Sequence, residues 1–246
     1  MYKIGILIPT TSAKRDWTTF EDTTFFNVFL HSFTHTYCNE YEYVIYLVID
    51  DDDKIFANEN IQNDIKSLTE RFKNIKLTYI SSNGISKSHV TEMWNRAFKK
   101  AYDEGCNYFF QSGDDIWFET KGWVTSSIEK LKQHNDIGLT GPTDVGRFKY
   151  GLKEFEPGGE RFIHTQSFVS RKHMEIYGFY FPKEIKNWFC DDWITRIYYP
   201  EHFYLINHRL RNIGGEPRYN IVKQNDWKNL VKRDRERLIK YIQNLS

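Results

Sequence analysis

From Tyr43 to Ile49 the chain reads Tyr-Val-Ile-Tyr-Leu-Val-Ile, with no polar interruption, and then empties into Asp50-Asp51-Asp52-Asp53. A strand that is apolar on both faces must be covered on both, the condition met by a parallel sheet with helices packed on each side. The rest of the first half repeats the theme. Lys3 to Ile8 reads as a buried first strand closed by Pro9-Thr10-Thr11-Ser12, Lys76 to Ile80 as a third, and Tyr108 to Gln111 as a fourth that stops at Ser112-Gly113. Helical stripes lie between them. Phe25, Phe26, Phe29, Leu30 and Phe33 mark the first, with Asp22 or Thr23 as a cap, and Ile61, Ile65, Leu68 and Phe72 mark the second. Val90, Met93, Trp94, Ala97, Phe98 and Ala101 mark a third, with Ser86 or Ser88 at its start and Gly105 at its end. Strand and helix in alternation predict an α/β fold with right-handed crossovers.

The second half is less regular. Helices are expected around Trp123 to Leu131, from Arg171 to Tyr177, over Trp193 to Tyr198, and from Trp227 to Leu245 behind Asp226. Short strands are expected at Ile137 to Thr140 and Phe203 to Asn207. Gly141 to Gly159 forms a connection long enough to suggest a functional loop, and 141–166 is the natural place for a lid or an acceptor-recognition segment. One domain over 1–246 is expected, with 1–117 and 118–246 as its two halves.

Charge excludes some partners. Lys and Arg total 34 against 33 Asp and Glu, so no basic excess points to nucleic acid. No apolar run is long enough to span a membrane or serve as a signal peptide. The expectation is therefore a cytoplasmic protein with Cys38, Cys106 and Cys190 as reduced thiols.

Asp114 and Asp115 follow the fourth strand directly, at the carboxyl end where open α/β sheets bind ligands. Two carboxylates converging there repel each other unless a cation lies between them, and oxygen ligands suit Mg²⁺ or Mn²⁺ with substrate phosphates completing the shell. The plainer alternative is a polar turn after a buried strand. Neither a Gly-rich dinucleotide turn nor a phosphate-cradling lysine loop follows the first strand, so both familiar nucleotide signatures fail.

The stations present resemble those of GT-A glycosyltransferases, most closely the broad inverting group related to cellulose and chitin synthases. They are Ile8-Pro9-Thr10, Asp50 at the second strand's end, Asn83-Gly84 before a helix containing Asn95, the DxD-like pair Asp114-Asp115, Tyr177-Gly178-Phe179, and Asp191-Asp192 before a helix. They cover residues 4 to 198, and each motif is short. Two departures stand out. Only an adjacent acidic pair remains of the usual Asp-x-Asp metal motif, and Asp191 replaces the glutamate that usually precedes the base.

The resemblance implies a GT-A-like, Rossmann-like, mostly parallel sheet flanked by helices, with an irregular C-terminal acceptor half. It implies metal-dependent transfer of a sugar from a nucleotide-sugar, UDP-sugar favoured, to a hydroxyl on a glycan, lipid or protein, with inversion. Pro9, Thr10, Thr11, Asp50, Asp51, Asn83, Gly84, Lys87 and Asp114 would line the donor, and Asp50 or Asp51 would face the base. Asp115 and Asp114 would hold Mn²⁺ or Mg²⁺, with His208 as a further ligand. Asp192, with Asp191 beside it, would be the general base. A helix cap is the ordinary role for those two, and a core or surface position the ordinary one for His208. Lys87, Arg209 and Arg211 are candidates for phosphate oxygens, and Trp117, Trp188 and Trp193 for sugar stacking. A nucleotidyltransferase and a non-catalytic sugar- or protein-binding module are the alternatives.

Overall fold

The structure, a computed structural model, describes residues 1–148 and 153–245. Its main sheet has five strands: β1 (Lys3–Thr10), β2 (Glu42–Ile49), β3 (Ile75–Ser81), β4 (Tyr108–Gln111) and β7 (Ser167–Ser170). Their order is β3-β2-β1-β4-β7. The first four run parallel, Ile6 facing Ile45 on one side and Phe110 on the other, while β7 is antiparallel to β4. β5 (Ile116–Phe118), β6 (Thr143–Asp144) and β8 (Arg209–Asn212) form a second, small sheet in the order β5-β8-β6.

Helices cover both faces, as the doubly apolar strands require. Alternate residues of β2 serve two cores: Tyr43, Ile45 and Leu47 pack with Phe25, Phe29, Phe33 and Trp123. Val44, Tyr46 and Val48 pack with Met93, Phe98 and Trp193 on the other side. α2 (Glu59–Thr69) is capped by Asn58, whose side chain accepts from the amides of Asn60 and Ile61. α3 (Val90–Asp103) ends at Gly105, whose φ of +82° suits glycine. α4 (Trp123–Lys132), α5 (Lys172–Tyr177), α6 (Cys190–Tyr198) and α7 (Trp227–Gln243) complete the set. No helix among the described residues is long and apolar enough to cross a membrane.

Several expectations are corrected. The first helical stripe is a wide π-turn over Phe25–Leu30 that tightens into the short α1 (His31–Thr36). There Ser32, Thr34 and Thr36 return their hydroxyls to carbonyls four residues back, competing with regular helix bonding. Neither Ser86 nor Ser88 caps α3, which starts after His89 without a side-chain cap. The strand expected at Phe203 to Asn207 is a single bridge from Leu139 to Phe203, and β8 lies further on. Ile137 to Thr140 likewise makes only isolated bridges. Residues 149–152 of the long connection lie outside the described residues; the part described holds 3-10 turns at Val145–Phe148 and Lys153–Phe155.

Candidate active site

β1 feeds leftward into β2 and β3, whereas β4 pairs on β1's other side, so the chain reverses direction across the sheet between β1 and β4. The space beyond the carboxyl ends of two strands at such a reversal is the crevice in which α/β sheets bind ligands. Thr10 ends β1, and Asp114 and Asp115 follow β4. The Thr10 hydroxyl donates to Asp114 Oδ2 at 2.5 Å, joining the two strand ends. Asp114 is fully buried.

Its charge is met by a residue the sequence did not single out. Arg218 Nη1 donates to Asp114 Oδ2 at 2.7 Å while Nη2 donates to Oδ1. Nη1 also reaches the Thr11 carbonyl at 3.0 Å, and the guanidinium lies 3.8 Å from Asp115 Oδ2. Trp17 covers the guanidinium, its ring centroid 5.6 Å away. Burial works against the charge on Arg218, but the two carboxylates more than offset it and its pKa rises. Asp115 is pushed up to about 6, first by burial and then by the charge of Asp114.

The two carboxylates therefore converge, though not through a sharp turn at Gly113. Gly113 has no positive φ. It is needed because Asp115 folds back over it: a Cβ there would stand 2.5 Å from Asp115 Oδ1. Gly214 is needed for the same reason, since a Cβ at 214 would overlap the Asp115 carboxylate outright.

At the end of β2 the four aspartates divide. Asp53 is structural: it accepts from the Ser12 amide at 2.5 Å, from the Thr11 hydroxyl at 3.0 Å, and from the amides of Ile55 and Phe56. Asp50 faces the crevice, accepting from Ser82 Oγ at 3.2 Å and Tyr219 OH at 3.3 Å, with Lys87 Nζ 3.7 Å away. Asp51 is exposed and takes the Ser81 hydroxyl, and Asp52 is exposed and takes Lys87. Pro9 is buried in β1, whereas Asn83 and Gly84 are exposed in the turn after β3. Asn83 there offers its carbonyl to Arg96.

Asp191 and Asp192 lie in the first turn of α6, but Phe189 occupies the cap position, so neither carboxylate is spent as a cap. Asp191 is pushed up to about 7, chiefly by burial, and accepts a weak bond from the Cys190 thiol at 3.4 Å. Asp192 is also raised, burial again leading, and Arg147 pulls both downward. Phe189 holds a left-handed φ of +75°, unusual for a bulky residue, while its ring stacks on Trp227 at 5.6 Å. Asp144 is buried and accepts from the Thr165 hydroxyl and the amides of Gly146 and Asn212.

His208 does not join the acidic pair. Its ring nitrogens meet Thr120 Oγ1 at 3.1 Å and Ser126 Oγ at 3.0 Å. Arg209 and Arg211 both pair with Glu119. Trp193 is core, Trp117 stacks on His31, and Trp188 is exposed. Arg218 and Tyr219 stand in a loop far along the chain from the carboxylates they meet, 104 positions from Asp114 and 169 from Asp50, and nothing in their own residue types marks them. The available signal was Gly214-Gly215-Glu216-Pro217, which marks a turn brought close to something.

Solved structures share this architecture. S. aureus TarS 1-349 in complex with UDP-GlcNAc matches with a TM-score of 0.61 at 15% identity, over 95% of this chain and 66% of that one. The same protein in complex with UDP matches at 0.56 and 14%, over 94% and 64%. A further TarS structure matches at 0.56 and 13%, over 95% of this chain and 38% of that one. TarS is a GT-A-type glycosyltransferase. The chain has a GT-A fold. It spans about two thirds of the 1-349 form, and identity at this level carries the fold alone. No family model matches the sequence, and no curated protein does. Within the GT-A fold, β1 to β4 supply Thr10, Asp50 and Asp114-Asp115, and α6 supplies the second acidic pair.

Proposed function

We propose that the protein is a glycosyltransferase that moves a sugar from a nucleotide-sugar, a UDP-sugar in the first instance, to a hydroxyl acceptor with inversion. The observation that carries this is the placement of Asp50 and Asp114-Asp115 at the carboxyl ends of β2 and β4, the parallel strands on either side of β1, around the crevice where the sheet reverses. Binding of UDP and UDP-GlcNAc by TarS, on the same fold, supports the choice of donor.

In this reading residues 1–117 bind the donor and 118–246 the acceptor. Asp50 accepts the imide proton of the base, with Asp51 beside it. Pro9, Thr10 and Thr11 border the nucleoside, Asn83 and Gly84 form the rim, and Lys87 offers charge to phosphate. The acceptor oxygen attacks the anomeric carbon while Asp192, assisted by Asp191, removes its proton. The bond from that carbon to the diphosphate breaks, and its electron pair leaves with the phosphate oxygen. Burial keeps both carboxylates more basic than usual, which suits a base working near neutral pH.

A divalent cation is the remaining part of the proposal. Asp115, and Asp114 once Arg218 is withdrawn, match the one or two carboxylates that hold Mg²⁺ or Mn²⁺ beside substrate phosphates. As Arg218 now lies, both oxygens of Asp114 accept hydrogen bonds, and the described residues contain no cluster of three acidic, histidine or cysteine side chains fit for a metal. When bound, the ion would stabilise charge on the departing diphosphate.

Release of UDP from UDP-sugars in Mn²⁺, collapsing in Asp115→Ala, is the expected result. Nucleotide-sugar binding indifferent to chelator and to that substitution would instead indicate an inert binding module.

A further inference from the structure

The crevice is not open. The segment 213–222 crosses it as an irregular strap from β8 towards α7, and two of its side chains sit on the crevice's two acidic stations. Arg218 takes Asp114, and Tyr219 takes Asp50. The strap is tied at both flanks: Arg15 Nη2 donates to the carbonyls of Gly214 (3.0 Å) and Glu216 (2.6 Å). Further along, Lys14 reaches Asn220 Oδ1 at 2.9 Å, and the Asn220 amide donates to Ser88 Oγ at 3.0 Å. Asn187 then brackets it, donating to the Asn220 carbonyl and accepting from the Val222 amide.

Two features make this an occupant and not a wall of the fold. Between Leu210 and Leu238 no apolar side chain is fully buried, and within the strap Tyr219 alone packs partly against a core, so lifting the strap uncovers little apolar surface. Its ties other than Arg218 and Tyr219 are mostly solvent-exposed hydrogen bonds. The charges agree. Two carboxylates against one guanidinium leave this end of the crevice net negative, so a diphosphate approaching the closed form meets a charge that Arg218 only partly offsets. A diphosphate arriving with a divalent cation supplies what Arg218 now supplies and frees the guanidinium.

We propose, on the donor reading above, that Arg218 and Tyr219 are an internal occupant of the donor crevice, and that a nucleoside diphosphate with its divalent cation competes with them for Asp114 and Asp50. The strap closed is the free protein; the strap lifted is the binding-competent form. A strap closed in roughly nine molecules of ten weakens apparent donor affinity about tenfold below its intrinsic value.

The test fixes the strap shut. Ser88→Cys with Asn220→Cys puts a thiol on each of two residues that the bond from the Asn220 amide to Ser88 Oγ already holds together. Formation of the disulfide is confirmed by loss of free thiol, and binding of UDP with Mn²⁺ is measured by calorimetry in the oxidised and reduced forms and in the wild type. The reduced pair should bind at least as tightly as the wild type, since both substitutions remove strap ties, and the oxidised pair at least about tenfold more weakly than the reduced, since the competent fraction is removed. In the wild type, hydrogen exchange at the Asn220 amide should accelerate when UDP and Mn²⁺ are added, a readout that needs no variant and no turnover. Wild type that binds UDP while oxidised and reduced forms bind alike, or whose strap becomes more protected on binding, overturns this proposal alone. Wild type that binds no nucleoside diphosphate overturns the donor reading as well.

Discussion

Arg218→Met separates a latch from a structural ion pair by magnitude. The Arg218 side chain is 11% exposed and that of Asp114 is 0%. If the pair were locked in the fold, removing the guanidinium would strand a buried carboxylate at a cost of about 3–5 kcal/mol. A strap that lifts sets a lower ceiling, because Asp114 is then hydrated in a conformation the protein already visits. A closed-to-open ratio of about ten corresponds to about 1.4 kcal/mol, and the variant can lose no more than that closure energy. For a chain of this length, about 1 kcal/mol moves the melting midpoint by roughly 2–4 °C. The expected shift is therefore a drop of about 3–6 °C in a thermal melt, with chemical denaturation giving a matching loss of about 1–1.5 kcal/mol. Asp114→Asn in the same background should recover part of it, since an uncharged amide still accepts the Thr10 hydroxyl. A loss of 3–5 kcal/mol would refute the reasoning, for it would show that water cannot reach Asp114 and that the strap belongs to the core.

Four further outcomes follow from the geometry. The rate of sugar transfer should rise with pH through an acid limb above the usual carboxylate range, because burial raises Asp192 as it does Asp191 beside it; Asp192→Asn should abolish transfer and that limb with it, and a limb that survives the substitution would exclude Asp192 as base. Folding stability has the opposite sign: the native state binds a proton at Asp191 that the unfolded chain has lost, so stability falls as pH climbs from about 4 to about 7, and Asp191→Asn should flatten that slope in urea titrations. Lys87→Ala should leave the melting point within about 1–2 °C, since Lys87 is itself exposed and its closer partner Asp52 is screened at the surface, yet weaken UDP binding measured by calorimetry. His208→Gln should leave the Mn²⁺ dependence of UDP release unchanged, since both ring nitrogens are engaged by Thr120 and Ser126.

The parallel sheet was legible because its strands announce themselves by burial on both faces. Tyr43 to Ile49 and Tyr108 to Phe110 have nowhere to sit except between two layers, and the helical stripes between them supply those layers. The antiparallel edge was not legible, for a physical reason. Ser167 and Ser170, the two ends of the four-residue β7, are buried, and Ser167 exchanges hydrogen bonds with Gln111 and Tyr180, so only Phe168 and Val169 between them are apolar. β8 hides in the opposite way: only Leu210 is buried, while Arg209 and Arg211 turn outward to Glu119. A reading based on apolar period finds neither.

The site divides along the same line. Asp50, Asp114 and Asp115 could be found because a charged residue at the end of an apolar run is conspicuous. Arg218 could not, because nothing local distinguishes one arginine in a Gly- and Pro-containing loop from another. What identifies it is the carboxylate it meets, 104 positions earlier in the chain. Yet the pairing carries its own local trace. Gly214 lies where any side chain would collide with the Asp115 carboxylate, so the loop that delivers Arg218 can approach the acidic pair only with glycine at that point. Gly214→Ala should hold the strap off the crevice and speed exchange at the Asn220 amide before any nucleotide is added. An alanine variant whose strap exchanges as slowly as wild type would mean that the carboxylate, not the loop, gives way.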